Sequence, residues 1–239
     1  MKNKKNIIIS GGKGKLGSYL RQLDPSIIAP THDEMNILDK KSLTFYINKY
    51  KSDIFIHCAA MTGPIQCDQE PVKAMRANIE GTCNVIEVCS RNKVKLIYIS
   101  TDYVFKGDKG NYSEDDELLP QNLYAWSKLG GECAARMYPQ SLIIRTSFSP
   151  DVFPYDKAFI DQYTSRDGLK IIAPIILKLA KMKNLVGIVH VGTKRKTVKE
   201  LALKLGKKDV ADLRRKDVPF IAPYDTSFNL KKLNRILKK

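Results

Sequence analysis

Asn6-Ile7-Ile8-Ile9-Ser10-Gly11-Gly12-Lys13-Gly14-Lys15-Leu16-Gly17 is the stretch whose reading decides the fold. The isoleucine run reads as a buried strand, and an amphipathic run to Leu23 predicts a helix right after the glycines. Glycines at 11, 14 and 17 permit a tight turn and close backbone approach. The helix start behind them offers free amides and the positive end of a dipole to an anion, the arrangement in which a dinucleotide pyrophosphate is held.

Working outward, short apolar runs alternate with amphipathic stretches over the first hundred residues, the pattern of βαβ units. Ile27-Ile28-Ala29 reads as a second strand and residues 53–60 as a third. A helix is predicted near residues 40–49 and another over 71–92, with Pro71 in its first turn. Val94-Lys95-Leu96-Ile97-Tyr98-Ile99-Ser100 is a fourth strand, 122–138 a helix, and Ser141-Leu142-Ile143-Ile144-Arg145-Thr146 another strand. The expected fold class is α/β: a Rossmann-type doubly wound parallel sheet. After Ser149 the rhythm changes. Residues 168–183 read as a helix, 187–191 as a strand, 197–205 and 210–216 as short helices, 219–223 as a turn, and 230–237 as a basic amphipathic segment. We therefore expect a dinucleotide-binding domain over 1–148 and a small substrate-binding lobe over 149–239.

Composition narrows the function classes. The chain has 239 residues, 43% of them hydrophobic, which is enough to bury a core. No run approaches the roughly 18 to 20 apolar residues of a spanning helix, and Met1-Lys2-Asn3-Lys4-Lys5 leads into only three isoleucines, too short for a signal peptide core. A cytoplasmic, unexported protein is the expectation. Five cysteines without a CxxC and three scattered histidines predict neither a disulfide framework nor a metal site. His57 reads as a core or cofactor-adjacent residue.

Net charge is +16, of which residues 1–150 carry +4 (20 basic, 16 acidic) and 151–239 carry +12 (21 basic, 9 acidic). Lys194-Arg195-Lys196, Lys207-Lys208 and Arg214-Arg215-Lys216 invite a nucleic-acid reading. They are interleaved with Glu200, Asp209, Asp212 and Asp217 and lack an aromatic stacking series, so a solvated surface is expected and no nucleic-acid partner. Electrostatic attraction of a phosphorylated small molecule is the other reading of this charge.

Tyr124 and Lys128 stand four residues apart and share a helix face. A phenol is a poor acid near neutrality, and an ammonium beside it lowers its pKa. The strand-end hydroxyls of Ser100 and Thr101 complete a plausible acid–base set. At the end of the second strand the usual ribose-binding acid is missing: Ala29-Pro30-Thr31-His32 precedes a late Asp33. Lys13, Lys15 and Arg21 lean toward a 2′-phosphate, hence NADP over NAD.

Three motifs together, Gly11-x-x-Gly14-x-x-Gly17, Ser100-Thr101-Asp102-Tyr103-Val104-Phe105-x-Gly107 and Tyr124-x-x-x-Lys128, resemble the extended short-chain dehydrogenase/reductases, and more narrowly the dTDP-4-dehydrorhamnose reductase family. Supporting similarity runs through Cys58-Ala59-Ala60-Met61-Thr62, Arg145-Thr146-Ser147-Phe148 and Asp225-Thr226-Ser227. The resemblance implies an oxidoreductase of dTDP-rhamnose biosynthesis, with Thr101, Tyr124 and Lys128 catalytic. Gly11, Gly14, Lys15, Leu16, Gly17, Asn36, Ile37, Ala59, Ala60, Met61 and Thr62, with Tyr124 and Lys128, would hold NADP or NAD. Thr101, Asp102, Tyr103 and Phe148 would face a nucleotide-sugar substrate. It allows a homodimer and implies no membrane partner. Asn36 stands where the family often has aspartate, Phe148 where it usually has tryptophan, and residues 149–160 are shortened. Two rivals follow: an epimerase or reductase of another UDP- or dTDP-sugar, and a non-catalytic regulatory subunit resembling that of methionine adenosyltransferase.

Overall fold

Four short strands with apolar side chains on both faces, joined by amphipathic helices, can bury themselves only as a parallel sheet covered on two sides. In the computed structural model, which describes residues 5–218 and 220–238, this is what forms. β1 (Ile7–Ser10), β2 (Ile54–His57), β3 (Lys95–Thr101), β4 (Ser141–Thr146) and β9 (Gly187–Val191) make one sheet in the order β1-β2-β3-β4-β9, all neighbours parallel. Between β4 and β9 the chain forms short strands β5 (Phe148–Ser149), β6 (Lys157–Phe159), β7 (Tyr163–Thr164) and β8 (Asp167–Gly168).

Alternation along the strands sorts the core into two layers. Ile7, Ile9, Ile54, Ile56, Ile97, Ile99, Leu142 and Ile144 face α1 (Lys15–Leu23), α7 (Leu169–Lys181) and α9 (Lys231–Leu237). Ile8, Phe55, Leu96, Tyr98 and Ile143 face α2 (Lys40–Tyr50), α5 (Gly81–Arg91) and α6 (Leu123–Arg136). Helices on both faces make the sheet doubly wound, as the sequence predicts.

The structure differs from the sequence reading in several places. Residues 27–29 do not extend into a full strand. Ile28 makes one parallel bridge to Ile8, because Pro30 removes the donor that would continue the ladder. Residues 210–216 are not a helix: β11 (Ala211–Leu213) pairs parallel with β6, and a 3₁₀ turn, Arg215–Asp217, follows. Pairing with β6 satisfies the backbone there, and Val210 just ahead of it packs with Phe153, Ala158 and Val198. The long helix is segmented into α4 (Pro71–Met75), a π turn (Arg76–Glu80) and α5, and it is preceded by an unforeseen α3 (Pro64–Gln69).

Nor does the chain stay on one side of residue 148. α7 and β9 return to the Rossmann layers, while β5 pairs β8, β6 pairs β11, and β7 pairs β10 (Lys196–Thr197) beside α8 (Val198–Lys204). The residues ahead of Lys5, and Pro219 of the expected turn, lie outside the described residues.

One ion pair ties the sheet to α6. Arg145 on β4 and Glu132 on α6 are both fully buried, with Arg145 Nη2 2.8 Å from Glu132 Oε1. Ser100 Oγ donates to Glu132 Oε2 at 2.6 Å, and Arg145 Nη1 donates to His190 Nε2 of β9 at 3.3 Å. Burial alone pushes the Glu132 carboxyl up, but Arg145, Ser100 and Arg136 together hold it below the ordinary 4.5. A buried pair is worth little against an apolar replacement, yet losing one partner strands a charge. Glu132→Ala should therefore lower unfolding free energy in urea by about 3–5 kcal/mol, while Glu132→Leu combined with Arg145→Met recovers most of the loss. Because the folded pKa is depressed, the pair's contribution is complete above pH 4.5 and disappears as pH falls below it.

Candidate active site

The strand order fixes where a ligand can lie. Ile28 flanks β1 on one side and β2 flanks it on the other, so the chain leaves β1 in opposite directions and a crevice opens at the carboxyl ends of the strands. The glycine loop forms its floor. Gly11 has φ +73°, and a Cβ there would lie 2.7 Å from the Ala59 nitrogen. A Cβ on Gly17 would lie 2.3 Å from the Gly11 carbonyl oxygen. Gly14 N–H donates to the same carbonyl at 2.9 Å, and Gly14 caps α1 without a side-chain bond, so the first-turn amides at Lys15, Leu16 and Gly17 lack helical acceptors. Free amides at a helix start with no side chain in front of them are the geometry that suits an anion such as a pyrophosphate.

A cleft of about 930 Å³ runs from this loop across the ends of β2, β3 and β4. All seventeen residues that the family resemblance names lie on its wall. Gly11, Gly14, Lys15, Leu16 and Gly17 come from the loop, Asn36 and Ile37 from the turn before α2, and Ala59, Ala60, Met61 and Thr62 from the run after β2. Thr101, Asp102 and Tyr103 come from the end of β3, Tyr124 and Lys128 from α6, and Phe148 from β5. Of the three basic residues named for a 2′-phosphate, only Lys15 lines the cleft, and His32 joins it. Arg166, Ser147 and Tyr155 also line it, and no local pattern marks them.

Tyr124 is half-buried on the cleft wall, and its partial withdrawal from water raises the phenol above its ordinary 10; the Thr101 hydroxyl opposes this, and Asp102 and Tyr103 add to it. Tyr103 packs edge-on against it, ring centroids 6.4 Å apart. Lys128 does not sit over Tyr124. Its ammonium lies 4.2 Å from the centroid of the Tyr98 ring, and burial brings it down to about 8 against the raising effect of Cys58 and Glu132. In this geometry the tyrosine is held protonated rather than eased toward phenolate. Asp102 is raised by burial, with Thr226 Oγ1 donating to its Oδ2 at 2.8 Å and Thr101 Oγ1 donating to Oδ1 at 3.2 Å.

A buried polar chain braces the wall. Thr82 Oγ1 donates to the Asn78 carbonyl at 2.7 Å, so its lone pair accepts from His57 Nε2 at 3.1 Å. Nδ1 then accepts from Ser10 Oγ at 2.8 Å, which fixes the neutral tautomer. Asn78, in the π turn, accepts from Met61 N–H at 2.8 Å and donates to the Met61 carbonyl at 2.9 Å and to Ser127 Oγ at 2.8 Å. Ser127 Oγ in turn donates to the Tyr124 carbonyl at 2.7 Å. Burial, then the Lys128 charge, drives His57 down to about 3. Burial, then Arg145, does the same to His190.

The family model of the RmlD substrate binding domain matches residues 5–174. The spore coat polysaccharide biosynthesis protein SpsK of Bacillus subtilis is 38% identical over 149 residues, 59% of this chain and 52% of that protein. A dTDP-4-dehydrorhamnose reductase of Aggregatibacter actinomycetemcomitans is 30% identical over 190 residues, 77% of this chain and 60% of that one. The chain thus spans between half and two thirds of these relatives. A crystal structure of dTDP-4-dehydrorhamnose reductase from Bacillus anthracis in complex with NADP superposes with TM-score 0.88 and 26% identity, covering 99% of this chain and 93% of that one. Among the described residues no helix is long and apolar enough to cross a membrane.

Two histidines held neutral must take up protons on unfolding. With folded values near 3 against an ordinary 6.5, stability is complete above pH 6.5 and is lost as pH falls from there toward 3. Urea titrations at pH 7.5, 6.0 and 5.0 should show unfolding free energy dropping by up to about 1.4 kcal/mol per pH unit for each histidine, and His57→Gln should remove its share of the slope.

Proposed function

The chain belongs to the RmlD substrate binding domain family, and from that premise we propose that it is a nicotinamide-dependent reductase of a nucleotide-linked 4-keto-6-deoxy sugar, of the dTDP-4-dehydrorhamnose type. The observation that carries the reading is the meeting of Thr101, Tyr124 and Lys128 on the wall of a cleft whose floor is the glycine cradle.

The residues present fit a dinucleotide. The cradle has room for phosphate oxygens and none for side chains, and Lys15 and His32 line the side on which a 2′-phosphate would favour NADPH over NADH. When bound, the reduced cofactor supplies hydride to the sugar carbonyl carbon. Lys128 would hold a ribose hydroxyl of the cofactor and keep a positive charge beside the reacting groups. Thr101, whose hydroxyl already serves Asp102, turns its donor to the carbonyl oxygen and marks the position where negative charge grows. Tyr124 hands its phenolic proton to that oxygen. A phenol held protonated suits this step, since a nascent alkoxide is far more basic than a phenolate. Asp102, Tyr103 and Phe148 face the sugar, and closure of water from the site strengthens each of these contacts. Such a reductase works in the cytoplasm.

Tyr124→Phe should lower kcat about 10²- to 10⁴-fold in an assay of NADPH oxidation with dTDP-4-keto-6-deoxy sugars, with cofactor binding retained. An unchanged rate rules Tyr124 out as donor. Net oxidation of the cofactor also separates a reductase from an epimerase, which returns its hydride, and from a regulatory subunit, which reduces nothing. Since Lys128 lies near 8, kcat/KM should decline as pH rises through about 8, and Lys128→Met should abolish that limb along with most of the activity.

A further inference from the structure

Arg166 occupies the turn between β7 and β8, half-buried in the wall of the same cleft. Its backbone is pinned from two directions: its N–H donates to Thr164 Oγ1 at 3.0 Å, and its carbonyl accepts from Lys196 Nζ at 3.0 Å. Nε donates to Ser147 Oγ at 2.9 Å, one residue before Phe148, and the guanidinium charge opposes the rise that burial causes in the Tyr103 phenol. A guanidinium has five N–H donors in a planar fork, and the bond to Ser147 occupies one of them.

The carboxylates nearby are engaged elsewhere. Asp102 spends its oxygens on Thr226 and Thr101. Asp167, next in sequence, accepts from Thr193 Oγ1 at 2.7 Å and pairs with Lys204. Among the described residues Arg166 forms no ion pair, whereas Arg145, Arg195 and Arg215 each have a carboxylate partner. A cation partly withdrawn from water and held at its backbone and Nε, whose charge is felt by the buried Asp102 carboxyl without an ion pair to it, is a group that gains from an incoming anion.

We propose that Arg166 binds an oxyanion of the substrate, at a second anion site separate from the glycine cradle. The cradle lies at the end of β1 and Arg166 beside the end of β4. Three inter-strand steps separate them, roughly 14 Å, too far for one phosphate to serve both. The proposal rests on the cleft being a sugar-nucleotide site. The oxyanion belongs either to the nucleoside diphosphate or to a carboxylate on the sugar ring, and both chemistries match a planar fork.

The test is calorimetric titration of the full chain, with NADP⁺ present and without turnover, using dTDP, glucuronate and glucose as separate probes. Arg166→Gln should weaken the anion it serves about 10- to 100-fold and leave glucose and NADP⁺ unaffected. Arg166→Lys keeps the charge without the fork and should recover part of the loss, which also guards against a glutamine variant that fails to fold. A loss confined to dTDP assigns the diphosphate, and one confined to glucuronate assigns a sugar carboxylate. Equal affinity of wild type and Arg166→Gln for both anions overturns the proposal, as does an equal loss of NADP⁺ binding. Absence of ketone reduction by the wild type would sink the reductase reading by itself, since these titrations need no reaction.

Discussion

The Gly11 carbonyl and the Ala59 amide stand so close to neighbouring backbone that no side chain fits at positions 11 or 17. This contact is the constraint on which the site depends. It brings the first turn of α1 against the start of the run after β2, so that free amides and the walls of the cleft belong to one rigid body. A methyl group at either position would push α1 away from the sheet. The anion cradle and the packing of Leu16 and Leu20 into the core would then be lost together.

Behind that floor, Tyr124 and Lys128 are held by groups that do not line the cleft. Glu132 is one helical turn from Lys128, and its pairing with Arg145 clamps α6 to β3 and β4. The His57, Thr82, Asn78 and Ser127 chain reaches the backbone at Tyr124 from the other side and pins Met61 on its way. Both networks use nearly all their donors and acceptors. That is why burying so much polarity is tolerable, and it leaves α6 little freedom to rotate.

How much of this was legible in the sequence varied with the range of the interaction. Ile7 to Ile9 and Ile54 to Ile56 announce central strands because both faces are apolar, and Tyr124 with Lys128 announces a helix face, all through local spacing. Residues 187–191 read as a strand, but their return to the main sheet is decided by distant partners, and the short polar segment Ala211–Leu213 carries no periodicity that reveals its pairing. The distribution of charge was legible, but the state of Tyr124 was not: withdrawal from water raises its phenol while Lys128 lies against the Tyr98 ring, and neither follows from a four-residue spacing. Arg166 is an isolated arginine in a turn, and only the chain's path from β7 to β8 gives it a place beside Ser147.

The π turn at Arg76–Glu80 has a consequence for how this chain can change length. It sets α4 and α5 out of phase, as though one residue had been spliced into a continuous helix. The extra residue rotates Asn78 toward Met61 while Val85 and Val88 still meet the sheet. Deleting one residue here would give a more regular helix and a worse protein, because either the core face or Asn78 would lose its bearing by about 100°. The irregularity works as a phase adjuster between packing and the site.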